Sequence, residues 1–156
     1  MIKYRFATTK DFNDVLALEN ECFKEPYSED DLRYEFKNNP VNKIIVAVDG
    51  KRIVGFIDYL ITFNSSTIMQ VAVTKEYRGK GIATQLLSEM EKSYPKNIED
   101  IVETVTLEVR ESNVAAKNLY LKNGYMIIVT LEITLRGYEL TLRKDEAQLV
   151  ILEVAY

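Results

Sequence analysis

The chain has 156 residues, of which 47% are hydrophobic and 28% charged, a composition typical of a globular protein with one domain. Its formal net charge of −4 excludes the basic surface that general nucleic-acid binding requires, so we expect no nucleic-acid partner. The absence of histidine and the single cysteine, Cys22, exclude a histidine-based triad, a histidine-rich metal site and an intramolecular disulfide. No apolar segment of signal-peptide or membrane-spanning length is present near the N terminus, so we expect a cytoplasmic protein that does not bind membranes.

The spacing of apolar residues predicts the elements of the first half of the chain. They are a strand at 1–7, helices at 8–22 and 28–37, and strands at 43–48, 53–63 and 68–73. Thr8 with Asp11, and Ser28 with Asp31, have the spacing of helix capping motifs. Pro26 ends the first of these helices.

In the second half, a helix begins at Ile82 and ends before the polar segment 93–100. A strand at 102–109 and a helix from Ser112 to the Asn123-Gly124 cap follow, and strands at 125–135 and 149–154 are joined across 136–146. The order β-αα-βββ-α-β-α-ββ predicts an α/β fold with one mixed sheet and helices on both faces. It does not fit a doubly wound parallel fold.

A basic, glycine-rich turn connects the strand at 68–73 to the helix that begins at Ile82. Its residues from Arg78 to Gly81 are Arg-Gly-Lys-Gly, and glycine permits both positive φ and the close approach of a ligand. The first amides of the next helix have no partner within that helix. Such a turn is typical of an anion site, but also of a tight connection with solvated basic residues. It matches neither a P-loop nor a dinucleotide-binding fingerprint.

Two segments resemble the GNAT superfamily of N-acetyltransferases. Arg78-x-x-Gly81-x-Ala83 resembles its acyl-CoA diphosphate loop. The segment 106–125 resembles the LEVR-x-S-N-x-x-A-x-x-L-Y-x-x-x-G-F/Y block of RimI-like and archaeal protein N-terminal acetyltransferases. The resemblance covers nearly all of the chain and implies one mixed, mostly antiparallel sheet of about seven strands, which splays between two parallel strands. It also implies acetyl-CoA as cosubstrate and protein or peptide N-termini as acceptors, by direct attack in a ternary complex.

The resemblance assigns the cosubstrate to the strand at 68–73, the turn and the start of two helices. The diphosphate is expected on the turn amides, and the pantetheine arm along the strand as an added strand would lie. Asn113 is expected to bind the pantetheine arm, to cap its helix, or to do both. The residues expected to bind acetyl-CoA are Val71, Ala72, Val73, Arg78, Gly79, Lys80, Gly81, Ile82, Ala83, Thr84 and Asn113.

The catalytic groups must work without histidine. An attacking α-amine has a pKa of about 7.7 to 8, so a carboxylate that acts directly or through water is a sufficient base. The resemblance gives this role to Glu108, and gives Tyr120 the role of the acid that protonates the departing thiolate. The residue patterns alone also allow Glu108 to be a solvent-facing strand residue and Tyr120 a core residue. Cys22 is expected to be a packed, unreactive thiol.

On the substrate side, acidic residues cluster around the loop between the first two helices, and they either attract a cationic N-terminus or partner the helix dipoles. These residues are Glu21, Glu25, Glu29, Asp30 and Asp31. Glu25 is expected to bind the substrate, and Tyr27 and Tyr138 resemble the aromatic walls of a peptide slot. After Tyr138 the chain departs from the family pattern, so the resemblance leaves peptide selectivity open.

Other functions fit the same resemblance. The acceptor could be a small amine such as a polyamine, an amino acid or an antibiotic, or the side chain of an internal lysine. A non-catalytic module that binds acyl-CoA is a further alternative. For a protein N-terminal acetyltransferase, the expected partners are ribosomal or nascent chains and an auxiliary subunit.

Overall fold

The computed structural model describes residues 1–96, 101–110, 112–128 and 139–144. Its strands are β1 (Ile2–Phe6), β2 (Asn42–Asp49), β3 (Arg52–Thr62), β4 (Ser65–Val73), β5 (Thr104–Arg110), β6 (Met126–Ile128) and β7 (Glu139–Lys144). Its helices are α1 (Phe12–Cys22), α2 (Glu29–Lys37), α3 (Ile82–Lys92) and α4 (Val114–Lys122). Through β6, this order is the one that the sequence pattern predicts.

The seven described strands form one mixed sheet in the order β1-β2-β3-β4-β5-β7-β6, as expected. Each described pair of neighbours is antiparallel except β4 with β5, which run parallel. These two pair from Ser65 opposite Thr104 to Ile68 opposite Leu107. Beyond Ile68 and Leu107 the pairing stops although both strands continue, so the sheet splays at its centre.

Helices cover both faces of the sheet because adjacent residues of its central strands point in opposite directions. On β3, Phe56 packs in an apolar cluster with Phe12 and Val15 of α1, whereas Ile57 packs in a second cluster with Leu86 of α3. All of these side chains are buried. None of the helices in the described ranges is long and apolar enough to cross a membrane.

Both predicted capping motifs are present. The Thr8 amide donates to Oδ2 of Asp11 at 2.7 Å, and the Ser28 hydroxyl accepts from the Asp31 amide at 3.1 Å. Arg5 donates two hydrogen bonds to the Asp11 carboxylate, and these bonds hold the Asp11 pKa at about 2. The start of the first helical segment is thereby tied to β1.

One described strand was not predicted. Residues 136–146 were expected to be a connection, but they contain β7, which pairs with both β5 and β6. Leu140 and Leu142 alternate with polar residues there, and this alternation is a strand signal that the neighbouring charges obscure. The predicted strand at 149–154 lies outside the described residues, as does most of the strand predicted at 125–135.

Asp58 is a fully buried carboxyl on β3, and its titration makes stability depend on pH. Burial, followed by the negative charges of Glu35 and Glu19, raises its pKa from 3.8 to about 7, although the Asn42 side chain acts in the opposite direction. Between these two pKa values the folded protein holds a proton that the unfolded chain has released. The free energy of unfolding therefore falls as pH rises through this window, by at most about 4 kcal/mol.

We expect Asp58→Asn to remove most of this pH dependence. The variant should be more stable than the wild type at pH 8, because no buried charge forms, and nearly equal to it at pH 3, below both pKa values. Thermal unfolding at the two pH values checks this. Stability curves that stay parallel for the two proteins would show that Asp58 does not titrate in this window.

Candidate active site

The turn that follows β4 has open space beside its two glycines. Gly79 and Gly81 have φ values of +74° and +78°, and a Cβ added at either would meet nothing within 4 Å. Gly81 caps the N terminus of α3, and no described side chain accepts or donates at this cap. The amides of residues 82–84 therefore have no partner within the helix, as an anion site requires.

The two basic residues of the turn are placed differently. The Arg78 Nε donates to the Val73 carbonyl at 2.9 Å, which fixes this side chain against the end of β4. The Lys80 ammonium lies 4.6 Å from the centre of the Tyr77 ring at the exposed side of the turn. The Arg78 guanidinium also lies 3.7 Å from the Cys22 sulfur, a cationic neighbour that the sequence did not indicate. Burial nevertheless raises the pKa of the thiol, so it stays protonated near neutral pH.

The amides along the end of β4 alternate in direction. The Thr74 amide donates to Val54 on β3 at 2.9 Å, so Ala72, two residues earlier, faces β3 as well. The Ala72 carbonyl lies 2.8 Å from the position of a Cβ added at Gly55 of β3, which agrees with this direction. The amides of Val71 and Val73 point the opposite way, into the splay. Of the three predicted strand amides, Ala72 therefore pairs with the sheet and the other two face the gap.

Two connected clefts lie where β4 and β5 separate. The larger, of about 550 Å³, is bounded by the α1–α2 loop, both strands and α4. The smaller, of about 440 Å³, is lined by residues of the two strands alone, among them Thr67 and Thr106. Met69 and Glu108 line both clefts. The gap beside Glu108 that the sequence predicts is therefore present.

Glu108 faces the side of the sheet that carries α1 and α2. Its neighbours Leu107 and Val109 are buried on the opposite face, so strand alternation directs Thr106, Glu108 and Arg110 to the cleft side. Glu108 is exposed, as a solvent-facing strand residue would be. Because Glu108 also lines both clefts, its carboxylate is accessible to a ligand bound there.

Tyr120 of α4 lines the larger cleft, although 94% of its surface is buried. It therefore belongs both to the apolar core and to the wall of the cleft. Its ring packs edge to face against Tyr125, with 5.5 Å between the ring centres. Burial raises the pKa of its phenol above the ordinary value. The group therefore stays protonated near neutral pH and keeps an O–H that can donate a hydrogen bond.

Asn113 caps α4, which is one of the two roles expected for it. Its Oδ1 accepts from the Ala116 amide at 3.2 Å. Asn113 also lines the larger cleft. Because the cap uses the oxygen, the amide NH₂ group remains the donor for a ligand.

The substrate-side predictions have mixed outcomes. Glu25 lines the larger cleft and forms an exposed ion pair with Arg110 at 2.9 Å. Tyr27 lines neither described cleft but packs against the apolar cluster of α1 and α2, where burial and nearby carboxylates raise its pKa to about 12. Its backbone amide donates to Oε1 of Glu19 at 2.7 Å. Tyr138 lies outside the described residues.

Most of the acidic cluster has local partners. Glu21 accepts from the Thr74 hydroxyl and the Lys75 amide, Glu29 pairs with Arg33, and Asp31 belongs to the Ser28 cap. The helix-partner alternative therefore applies to Glu29 and Asp31. Within the described cleft linings, Glu25 is the member of this cluster that faces the site.

Sequence reasoning did not assign Gln70 and Arg110, although both line the larger cleft. Gln70 is the one polar residue of the segment 68–73, which is a signal that it contacts something specific. Arg110 lies two residues after Glu108 and therefore shares its face of β5. Its pairing with Glu25, 85 positions away, could not be read from local sequence.

Comparisons with known proteins agree with this geometry. Residues 12–125 match the model of the acetyltransferase (GNAT) family. An uncharacterised N-acetyltransferase of Methanocaldococcus jannaschii is 37% identical over 125 residues, 80% of this chain and 78% of that protein. A Bacillus subtilis protein provisionally named a [ribosomal protein bS18]-alanine N-acetyltransferase is 28% identical over 116 residues, 74% of each chain. The crystal structure of PaiA N-acetyltransferase from Thermoplasma acidophilum with coenzyme A has a TM-score of 0.73 at 22% identity, covering 93% of this chain and 99% of that one.

The site fits the cosubstrate of this family, acetyl-CoA, whose diphosphate and pantetheine amides need backbone donors. Open glycines and free amides at the start of α3 suit the diphosphate, and the amides of Val71 and Val73 suit an extended arm. The chain therefore belongs to the acetyltransferase (GNAT) family and is an acyltransferase whose cosubstrate is acetyl-CoA.

Proposed function

We propose that this enzyme acetylates the α-amino group of protein or peptide N-termini, by direct attack of the amine in a ternary complex. The observation that carries the proposal is that an exposed carboxylate, Glu108, and a buried, protonated phenol, Tyr120, line one cleft in the splay of the sheet. The relationship to a protein named as an S18-alanine N-acetyltransferase supports this class of acceptor.

In this proposal, acetyl-CoA supplies an activated acetyl group as a thioester. The amides of residues 82–84 hold its diphosphate, with positive charge from Lys80 and Arg78 nearby. The amides of Val71 and Val73 and the NH₂ group of Asn113 position its pantetheine arm. One strand amide also polarises the acetyl carbonyl.

Two side chains then handle protons. Glu108 removes a proton from the substrate ammonium, directly or through water, and so exposes the lone pair that attacks. Tyr120 donates a proton from its phenol oxygen to the departing sulfur, for which its place in the cleft suits it. Neither role needs histidine, which the chain lacks.

The openness of the site favours the end of a polypeptide over a small enclosed amine. Glu108 is exposed, and the smaller cleft continues from it along the outer face of β4 and β5 past Thr67 and Thr106. This groove leaves room for residues that follow the N-terminal one. Glu25 lines the larger cleft, where a cationic amine would compete with Arg110 for its carboxylate.

A substrate panel tests the proposal. The protein and acetyl-CoA are incubated with peptides that have a free N-terminus, with the same peptides blocked at the N-terminus but containing lysine, and with polyamines or amino acids. Release of CoA thiol should be fastest with the free peptides, and mass spectrometry should place one acetyl group on the α-amine. Turnover of small amines alone, or of lysine side chains, would show that the acceptor is one of these and not a protein N-terminus. Binding of acetyl-CoA with no turnover would favour a non-catalytic module.

Gly81→Ala tests the cosubstrate cradle separately from catalysis. An alanine in the left-handed region costs about 1 to 2 kcal/mol, which the turn can avoid only by moving the amides that follow it. We expect the Kd for acetyl-CoA to rise about tenfold, measured by calorimetry. Gly50→Ala is the matched control, because Gly50 also has positive φ and open space but lies in the β2–β3 hairpin. Equal acetyl-CoA affinities of the two variants would show that the turn does not bind the cosubstrate.

A further inference from the structure

Glu19 is a buried carboxylate that the proposed chemistry does not use. It lies on α1 with no exposed surface, among the buried apolar residues Val15 and Leu18. Burial raises its pKa, which shows that its charged form is disfavoured there. An apolar side chain of similar length would pack at this position without the cost of desolvating a carboxylate. Its presence therefore calls for an explanation other than helix packing.

One oxygen of Glu19 holds two parts of the cleft at once. Its Oε1 accepts from the Tyr27 amide and from Nε2 of Gln70, each at 2.7 Å, as short as charge-assisted bonds usually are. Gln70 belongs to β4 and lines the larger cleft. Tyr27 belongs to the segment 23–28 between α1 and α2, here called the wall loop, whose residues Phe23, Lys24 and Glu25 line the opposite side of that cleft.

Few other hydrogen bonds fix the middle of the wall loop. The Tyr27 amide is the one backbone N–H of residues 24–27 that donates a hydrogen bond to a described residue. A second connection across the cleft, the ion pair of Glu25 with Arg110, is exposed at both ends and contributes little under ordinary salt. Besides the packing of Phe23 and Tyr27 against the core, the distance between the wall loop and β4 therefore depends on Glu19.

We propose that Glu19 is a positioning residue for the amine substrate: through Tyr27 and Gln70 it sets the separation between the wall loop and β4. This inference rests on the proposed function, since it assigns that side of the cleft to the acceptor. Glu19 touches neither reactant and acts through the two groups that it holds. The diphosphate is bound by a different part of the fold, the turn after β4 and the start of α3. The pantetheine arm is bound by backbone amides of β4, and pairing with β3 holds this backbone without Glu19. Loss of Glu19 should therefore affect the two substrates unequally.

Three variants separate positioning from simple stabilisation. Glu19→Met keeps the length of the side chain but accepts no hydrogen bond from the two donors, whereas Glu19→Gln retains an oxygen that can accept from both. Glu21→Met is the matched control, because Glu21 is also a carboxylate of α1 with two donors, but it holds Thr74 and Lys75 instead of the wall loop.

Initial rates with a free-N-terminus peptide give the test. We expect Glu19→Met to raise the peptide KM about tenfold or more while the acetyl-CoA KM changes less than about twofold, and Glu19→Gln to restore the peptide KM to within about threefold of wild type. Glu21→Met should leave the peptide KM within about twofold. A Glu19→Met protein with wild-type peptide KM would overturn the inference, as would equal effects on both substrates. Absence of turnover in the wild type would instead refute the proposed function.

A second test uses only the wild-type protein and therefore does not depend on whether a variant folds. Hydrogen exchange should show the Tyr27 amide protected at least about tenfold more than the exposed amides of Lys24 and Glu25. Similar exchange of all three would show that the bond to Glu19 is not maintained in solution, and the inference would fail.

Discussion

Glu108→Gln is expected to lower kcat/KM for a peptide substrate about 100-fold at neutral pH, the largest effect of any single change considered. Glutamine has nearly the same shape but cannot accept the ammonium proton. The loss should be greatest at low pH, where the α-amine is almost wholly protonated and must be deprotonated at the site. At high pH the free amine attacks without a base, so the two proteins should converge.

Rate profiles from about pH 6 to 10 measure this effect. Glu103→Gln is the control, because Glu103 is an exposed carboxylate immediately before β5 whose partner, Asn64, lies away from both clefts. It should follow the wild-type profile. A Glu108→Gln enzyme whose profile has the wild-type shape would exclude Glu108 as the base.

Tyr120→Phe is expected to lower kcat about 30-fold, because the departing thiolate loses its proton donor. The Kd for acetyl-CoA should change less than about twofold, since the phenyl ring keeps its packing against Tyr125. Single-turnover rates and calorimetry give the two quantities. Tyr125→Phe removes a neighbouring buried hydroxyl that does not line the clefts and should change kcat less than about threefold. A selective loss of acetyl-CoA affinity in Tyr120→Phe would assign Tyr120 to binding instead.

The fold could be predicted from sequence wherever one local signal dominated. Apolar runs and alternation located the strands up to β5, and the Thr8–Asp11 and Ser28–Asp31 pairs located two helix starts because a cap depends on residues three apart. The strand β7 was missed because charged residues surround Leu140 and Leu142. Its pairing with β5 is a long-range contact, which local patterns do not contain.

The candidate site, like the fold, could be predicted from the sequence only in part. The glycines at 79 and 81 indicated positive φ, and the resemblance identified Glu108 and Tyr120, which the structure brings to one cleft. The roles of individual residues were less accessible. Whether the Ala72 amide faces the gap depends on the register with β3, and the hydrogen bond from the Tyr27 amide to Glu19 depends on how the loop after α1 folds back on that helix. Both facts require the packed molecule.

The central claim is that amides at the start of α3 and along β4 aim the thioester at the gap beside Glu108. A crystal structure with a bisubstrate analogue, in which CoA is joined to the α-amine of a peptide, tests it most directly. We predict the diphosphate on the amides of residues 82–84, the pantetheine arm beside Val71 and Val73, and the peptide leaving between the wall loop and β5. Density for the analogue outside the splay, or side chains that fill the gap, would contradict the account.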